Sequence, residues 1–338
     1  MTRRIAVLGA GSWGTALAIH LARAGFPTRL WARRPELATE LAERRVNESY
    51  LPGAALPPEL EPTGELAALD DCEIALVVVP SHGFREVVAS FLERRPSGGP
   101  LTLVSATKGI ETDSLDRMSD VTRETAAASG QMVRYASLSG PTFAAELAAG
   151  VPSAAVVAAG EKELAAELCG LFSTRELRLY STTDVVGVEL GGAAKNVIAV
   201  AAGMLVGLGL GHNTRAALIT RGLHEITRLG LACGGDPRTF SGLAGLGDLV
   251  LTCTGGLSRN RQTGIELAQG RSLEEIRGDT SRVAEGVRNS LSVHRLAQRS
   301  RVEMPIVEQM MQVIYEGKPP PEALEELMTR ELKAETEL

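Results

Sequence analysis

A strand that ends in a glycine loop and opens straight into a helix limits what the start of this chain can become. Ile5-Ala6-Val7-Leu8 is a short apolar run without alternation, the pattern of a parallel strand buried on both faces. Gly9-Ala10-Gly11-Ser12-Trp13-Gly14 follows directly, and residues 13–24 read as a helix closed by Gly25. In that context the three glycines have separate tasks. Gly9 permits the tight turn, Gly11 lets a pyrophosphate approach the backbone, and Gly14 lets the helix pack close to the strand. The exposed amides at the helix start then face the phosphates of a dinucleotide.

Strand and helix patterns keep alternating after this unit. Strands are expected over 28–32, 74–79, 101–105, 134–138, 154–158 and 178–180, with helices over 35–45, 84–91, 115–128, 143–149 and 162–172. Units of this length make a doubly wound parallel sheet. The pattern changes near Thr182. Beyond Asp184, stretches rich in Ala, Leu and Gly over 185–208, 214–229, 241–251, 259–269, 285–298 and 306–316 all read as helices, and a short acidic helix follows Pro319-Pro320-Pro321. The expectation is an α/β domain over 1–183 and an all-helical domain over 184–338.

The 338 residues carry a net charge of −6, the opposite of what gripping nucleic acid or acidic lipid requires. Any bound anion must be held by a few local basic groups. Cys72, Cys169, Cys233 and Cys253 form no C-x-x-C pair and have no closely spaced histidine. They are read as reduced thiols, with no disulfide framework and no metal site. The apolar run after Arg3-Arg4 stops at Gly9, too soon for a signal peptide. The apolar stretch 197–210 is glycine-rich and too short to span a bilayer. A cytoplasmic location is the default.

Several residues carry the chemistry. The second strand runs Arg29-Leu30-Trp31-Ala32 into Arg33-Arg34. An acidic residue that would hold the ribose hydroxyl of NAD is missing there. Two guanidiniums suit a 2′-phosphate instead, so NADP(H) is favoured, with NAD(H) possible. Lys108 follows the end of a strand, where open α/β sheets bind ligands. Lys195 rises from a helix face lined by Gly191, Gly192, Ile198 and Ala199. It either reaches water or points into a site, where desolvation would bring its pKa toward neutrality. Ser258 reads as the N-cap of a helix carrying Arg259 and Asn260, a natural phosphate site. Asp248 is read as a hydroxyl or lysine partner, or as a cap.

Together these residues resemble the bacterial NAD(P)-dependent glycerol-3-phosphate dehydrogenases. The resemblance is carried by residues 9–16, by Tyr50-Leu51-Pro52-Gly53, Val79-Pro80-Ser81-His82 and Thr107-Lys108-Gly109-Ile110-Glu111, and by Leu138 to Ala144. In the second half it is carried by Glu189 to Asn196, Leu243 to Leu249 and Ser258-Arg259-Asn260. It implies a Rossmann-type domain followed by a helical domain of the 6-phosphogluconate dehydrogenase kind, joined at a cleft that holds the site. Gly9, Gly11, Ser12, Trp13, Gly14, Arg33, Arg34 and Tyr50 would hold the cofactor, together with Lys108, Ala144, Arg259, Val283 and Glu285. Lys108, Gly140, Thr142, Asp248, Ser258, Arg259 and Asn260 would contact the substrate, and Lys195 would exchange the proton at the carbonyl oxygen. The implied reaction is the reversible reduction of dihydroxyacetone phosphate to sn-glycerol 3-phosphate for phospholipid synthesis, without metal. A homodimer is implied. The alternatives are a β-hydroxyacid or 6-phosphogluconate type dehydrogenase and a catalytically silent NADP-binding sensor.

Overall fold

The computed structural model describes residues 3–96, 99, 101–279, 284–332 and 334–335. They form two compact units. Unit 1 holds the chain through Thr107 and again over Asp116–Val185, while unit 2 holds Lys108–Leu115 and Val186 onward. The single cut expected near residue 183 is therefore accompanied by a short segment, 108–115, that leaves the α/β unit and packs with the helices.

In unit 1 the order is β1 (Ile5–Leu8), α1 (Ser12–Arg23), β2 (Thr28–Trp31), α2 (Pro35–Arg44), β3 (Val46–Asn47), β4 (Leu51–Ala55) and β5 (Leu60–Thr63). It continues with β6 (Ile74–Val77), α3 (Phe84–Arg94), β7 (Leu101–Ser105), α4 (Met118–Ala128), β8 (Val133–Ser139), α5 (Ala144–Ala148), β9 (Ser153–Ala159), α6 (Lys162–Phe172) and β10 (Leu177–Thr182). Eight strands make one sheet in the order β10-β9-β8-β7-β6-β1-β2-β5. Successive residues of β1 feed two separate cores. Ile5 and Val7 pack beneath α1, α2 and α6, and Ala6 and Leu8 pack beneath α3 and α4. Burial on both faces is why this strand shows no polar alternation.

The sheet departs from the expected all-parallel arrangement at one joint, where β8 and β9 run antiparallel. The intervening α5 has five residues. At about 1.5 Å per residue it cannot return the chain along a strand that rises about 3.3 Å per residue, so the chain turns back beside β8. The expected strands also omitted β3, β4 and β5. Leu51-Pro52-Gly53-Ala54-Ala55 and Leu60-Glu61-Pro62-Thr63 have poor strand composition, and β5 accommodates Pro62 because it lies at the sheet edge.

Unit 2 contains α7 (Val185–Gly207), α8 (His212–Ala232), α9 (Pro237–Phe240), α10 (Asp248–Thr254), α11 (Arg259–Ala268) and α12 (Leu273–Asp279). It ends with α13 (Glu285–Arg299), α14 (Pro305–Tyr315) and α15 (Pro320–Met328). The helix expected over 241–251 is instead split, with a π turn at Leu243–Gly247 between α9 and α10. A side chain at Gly245 would collide with the backbone of Phe240, so only glycine permits the tight path. The helix expected from residue 115 starts at Met118, because Leu115 takes a positive φ of 63° and ends segment 108–115.

Helix α7 is long and apolar enough to cross a membrane, yet 89% of its most apolar window is buried within the protein. It is the hub of the bundle. Its backbone meets that of α11 directly: a Cβ at Gly203 would strike the Arg261 carbonyl, and one at Gly264 would strike the Val200 carbonyl. Gly264→Ala should therefore cost about 1–3 kcal/mol by overpacking. The same change at exposed Gly170 in α6, where a Cβ meets nothing, should stabilise by about 0.5–1 kcal/mol through helix propensity. Thermal unfolding of both variants checks the opposite signs.

Candidate functional site

In unit 1 the glycine loop is built as its spacing demands. Gly9 has a φ of 118°, and a Cβ at Gly14 would collide with the Gly9 carbonyl, so turn and helix touch backbone to backbone. A Cβ at Gly11, by contrast, would meet nothing within 4 Å. The open space lies where the spacing places a pyrophosphate. Gly11 is the N-cap of α1 and supplies no capping side chain, leaving amides at the helix opening for an anion. Trp13 packs on the core with its buried Nε1 lacking a partner among the described residues. A residue not foreseen, Asn47, is fully buried and donates to the Ala10 carbonyl (3.0 Å) and the Thr15 hydroxyl (2.7 Å). Its own Oδ1 accepts from the Tyr50 amide (3.2 Å), tying the loop to Tyr50.

Arg33 and Arg34 follow β2 and are both exposed. Arg34 donates to the Tyr50 hydroxyl at 3.2 Å, with its guanidinium 5.7 Å from the ring centroid. Gly140, Thr142 and Ala144 sit where β8 runs into α5. Gly140 has a φ of 148°, and the Thr142 hydroxyl donates to its carbonyl at 3.3 Å. These features fit a dinucleotide on unit 1.

Unit 2 holds a buried charge cluster. The Lys195 ammonium donates to Asp248 Oδ1 (2.7 Å) and to the Thr252 hydroxyl (2.7 Å), and the Lys108 ammonium donates to Asp248 Oδ2 (2.6 Å). Thr252 in turn donates to the Asp248 carbonyl at 2.6 Å. The π turn brings Asp248 to the first position of α10, and Thr252 lies one helical turn later on the same face. That i,i+4 spacing was a readable sign of Thr252, which the sequence reading missed.

Burial lowers Lys195 to about 8, against the pull of Asp248 and with the help of Lys108's charge. Burial pushes the Asp248 carboxyl up, but the two ammonium groups more than offset it and hold it below the ordinary carboxylate range. Burial also pushes the Glu285 carboxyl up, opposed by Arg259, Lys108 and Lys195. The neighbouring Cys253 thiol is pushed up to about 12 by burial and stays protonated. Of the three groups that meet, two are cations, so the cluster carries a net positive charge suited to an anionic or oxyanionic ligand.

The helix opening at α11 lies in the same unit. Ser258 is buried and caps the helix by accepting from the Arg261 amide at 3.2 Å. Arg259 is exposed. Asn260 donates to Asn196 Oδ1 (2.9 Å) and accepts from the Gly286 amide (2.9 Å), so it is oriented by both neighbouring helices. Val283 lies outside the described residues. Among the described residues no cluster of acidic, histidine and cysteine side chains could hold a metal.

Comparison with known proteins decides the family. The N-terminal model of NAD-dependent glycerol-3-phosphate dehydrogenase matches residues 4–165, and the C-terminal model matches residues 184–325. This chain belongs to that family. It is 52% identical over 336 residues to the glycerol-3-phosphate dehydrogenase [NAD(P)+] of Geobacter sp. (strain M21), covering 99% of both chains. It is 50% identical to the enzyme of the same name from Nitratidesulfovibrio vulgaris (strain DP4), covering 98% of this chain and 100% of the relative. Among solved structures, glycerol-3-phosphate dehydrogenase from Coxiella burnetii superposes with a TM-score of 0.92 at 40% identity, over 97% of this chain and 99% of that one. Members are NAD(P)-dependent oxidoreductases acting on a secondary alcohol, and the charge cluster sits in this dehydrogenase's helical unit.

Asp248→Asn should lower the pKa of Lys195 below about 8, because it deletes the charge that holds the ammonium form and leaves Lys108 repelling it. The alkaline limb of the pH–rate profile should move to lower pH by about one unit or more. An unmoved limb would separate Asp248 from Lys195's ionisation.

Proposed function

We propose that this chain catalyses the reversible reduction of dihydroxyacetone phosphate to sn-glycerol 3-phosphate, the backbone unit for phospholipid synthesis, in the cytoplasm. The observation that carries the reading is Lys195, a buried ammonium held between Asp248 and Thr252 in a member of this family. When bound, the nicotinamide cofactor supplies or accepts the hydride. Gly9, Gly11, Ser12, Trp13, Gly14, Tyr50 and Ala144 in unit 1, with Lys108, Arg259 and Glu285 in unit 2, are the residues assigned to hold it.

Lys195 acts at the carbonyl oxygen. As ammonium it stabilises the charge that grows there during reduction and hands over its proton. In the reverse direction the neutral amine accepts the proton from the alcohol. Asp248 keeps Lys195 protonated near neutrality and orients it, while Lys108 adds a second positive charge beside the substrate. Arg259, Asn260 and the amides at the α11 opening are assigned to the substrate phosphate, with Ser258 fixing the turn. A remote anchor of this kind converts binding into orientation at the reacting carbon. Gly140 and Thr142 are assigned to substrate contact.

The finer cofactor choice is NADPH. Arg33 and Arg34 follow β2 with no acid between them and the strand, and Arg33 makes no hydrogen bond or ion pair among the described residues, so its guanidinium is available to a 2′-phosphate. The double change Arg33→Ala, Arg34→Ala should raise the KM for NADPH far more than for NADH. Equal losses with both cofactors would overturn this choice. A homodimer is the assembly the family resemblance implies.

The test of the reaction is oxidation of NADPH by dihydroxyacetone phosphate, absent with unphosphorylated dihydroxyacetone. The pH dependence has a definite sign. Below about 8 Lys195 is protonated, so reduction should proceed there and fall as pH rises through that value, while oxidation of glycerol 3-phosphate should rise. Turnover of unphosphorylated β-hydroxyacids in place of the phosphorylated ketone would move the reading to the hydroxyacid dehydrogenases.

A further inference from the structure

Residues 108–115 lie beside α13, and the face of α13 they meet is studded with donors. Asn289, fully buried, donates from Nδ2 to the Ala193 carbonyl at 3.0 Å and to the Lys108 carbonyl at 3.4 Å. Ten residues on, Arg299 places its two terminal nitrogens on successive carbonyls, Nη1 on Ser114 at 3.0 Å and Nη2 on Leu115 at 3.1 Å. Between them Arg295 reaches the Thr112 carbonyl at 3.5 Å. Arg295 and Arg299 are one helical turn apart on the exposed face of α13, and Asn289 donates from its buried face, so the helix meets the segment's carbonyls with side-chain donors at both ends. The segment is anchored on its other side by Ile110 and Leu115, which pack into the helical core. The two carbonyls that Asn289 joins belong to the two lysine-bearing segments, since Ala193 precedes Lys195 by two residues in α7.

We infer that Asn289 and Arg299 are positioning residues for Lys108: by holding the carbonyls of segment 108–115 against α13, they seat the Lys108 ammonium on Asp248 opposite Lys195. Neither side chain reaches the Lys108 ammonium itself. Their effect passes through the backbone. The consequence for the reaction rests on the function proposed above, whereas the docking of the segment does not.

Lys195 reports whether Lys108 is in place. The charged groups around Lys195 are Asp248, Lys108 and Glu285, with the Cys253 thiol adjacent. Lys108 repels the Lys195 ammonium and shares its carboxylate. Releasing the segment removes that repulsion and leaves Asp248 to Lys195 alone, so Lys195 becomes harder to deprotonate. Glu285 stands at the opposite end of α13 from Arg299, about 20 Å away along the helix axis at 1.5 Å per residue, so a change at Arg299 leaves it in place.

The test uses the full chain with two single variants, Arg299→Ala on the exposed end and Asn289→Ala in the core. Hydrogen–deuterium exchange of residues 108–115 is read alongside kcat, KM for dihydroxyacetone phosphate and the pH profile. Both variants should exchange this segment faster than wild type while the rest of unit 2 keeps its protection. Both should lose about tenfold or more in kcat/KM, within the roughly hundredfold loss that a misplacement of about an ångström can cause. Both should move the alkaline limb to higher pH, opposite to Asp248→Asn. Arg299→Ala with wild-type exchange and a wild-type alkaline limb overturns the inference, even where Asn289→Ala is merely less heat-stable. Faster exchange of 108–115 in a chain whose wild type leaves dihydroxyacetone phosphate unreduced upholds the docking and discards the reaction instead.

Discussion

Two ammonium groups and one carboxylate meet in the interior of the helical unit, and their mutual dependence governs much of what surrounds them. Taking a single such charge out of water costs several kcal/mol. Asp248 cannot sit there as an anion without cations, and without Asp248 Lys195 would lose its proton below about 8. The cluster therefore requires three segments distant in sequence, α7, the opening of α10 and residues 108–115, to arrive together. Replacing it with apolar residues would make a simpler core. What the charged version supplies is a buried ammonium whose pKa, lowered to about 8, leaves its proton near the edge of release, with a second positive charge beside it.

Bringing those segments together depends on small residues. Gly203 and Gly264 let α7 and α11 meet backbone to backbone, which draws the Arg259 and Asn260 opening toward the turn of α7 that bears Lys195 and Asn196. The bond from Asn260 to Asn196 is one result of that approach. The same central position explains why α7 is apolar apart from Glu189, Lys195 and Asn196. A helix packed on every side has no polar face to show, and a membrane-like composition follows from central position in a bundle.

The parts of the molecule that were readable in sequence are those where one local pattern has one physical meaning. The Ile5–Leu8 strand and its glycine loop came out as expected because Gly9 and Gly14 answer to local sterics. The change from alternating to helical pattern near residue 184 was visible for the same reason. The misses fall where long-range context decides. Nothing local marks β5, which exists because β2 offers it an edge, or the reversal at β9, which follows from the shortness of α5. The helix expected over 241–251 ignored that three glycines permit a π turn, and that turn is what delivers Asp248. Lys195 was legible as a lysine on a small apolar face. Its meeting with Lys108 on one carboxylate was not, because no spacing in the sequence connects residues 108, 195 and 248.

Segment 108–115 carries Lys108 out of the α/β unit and into the helical one. Lys108 follows directly from a strand of unit 1, whose end is fixed by the Thr107 hydroxyl on the Val79 carbonyl at 2.8 Å. Yet its partner Asp248 belongs to unit 2. A lysine side chain has four rotatable bonds and would sample many positions from a strand end alone. Passing residues 108–115 through the helical unit, with Ile110 buried, Leu115 packed against the helical core and carbonyls between them held by α13, restricts that freedom. The ordering entropy is thereby met during folding rather than during each turnover. The chain takes a positive φ at Leu115 and an excursion out of the sheet, and in exchange the Lys108 ammonium is seated on Asp248.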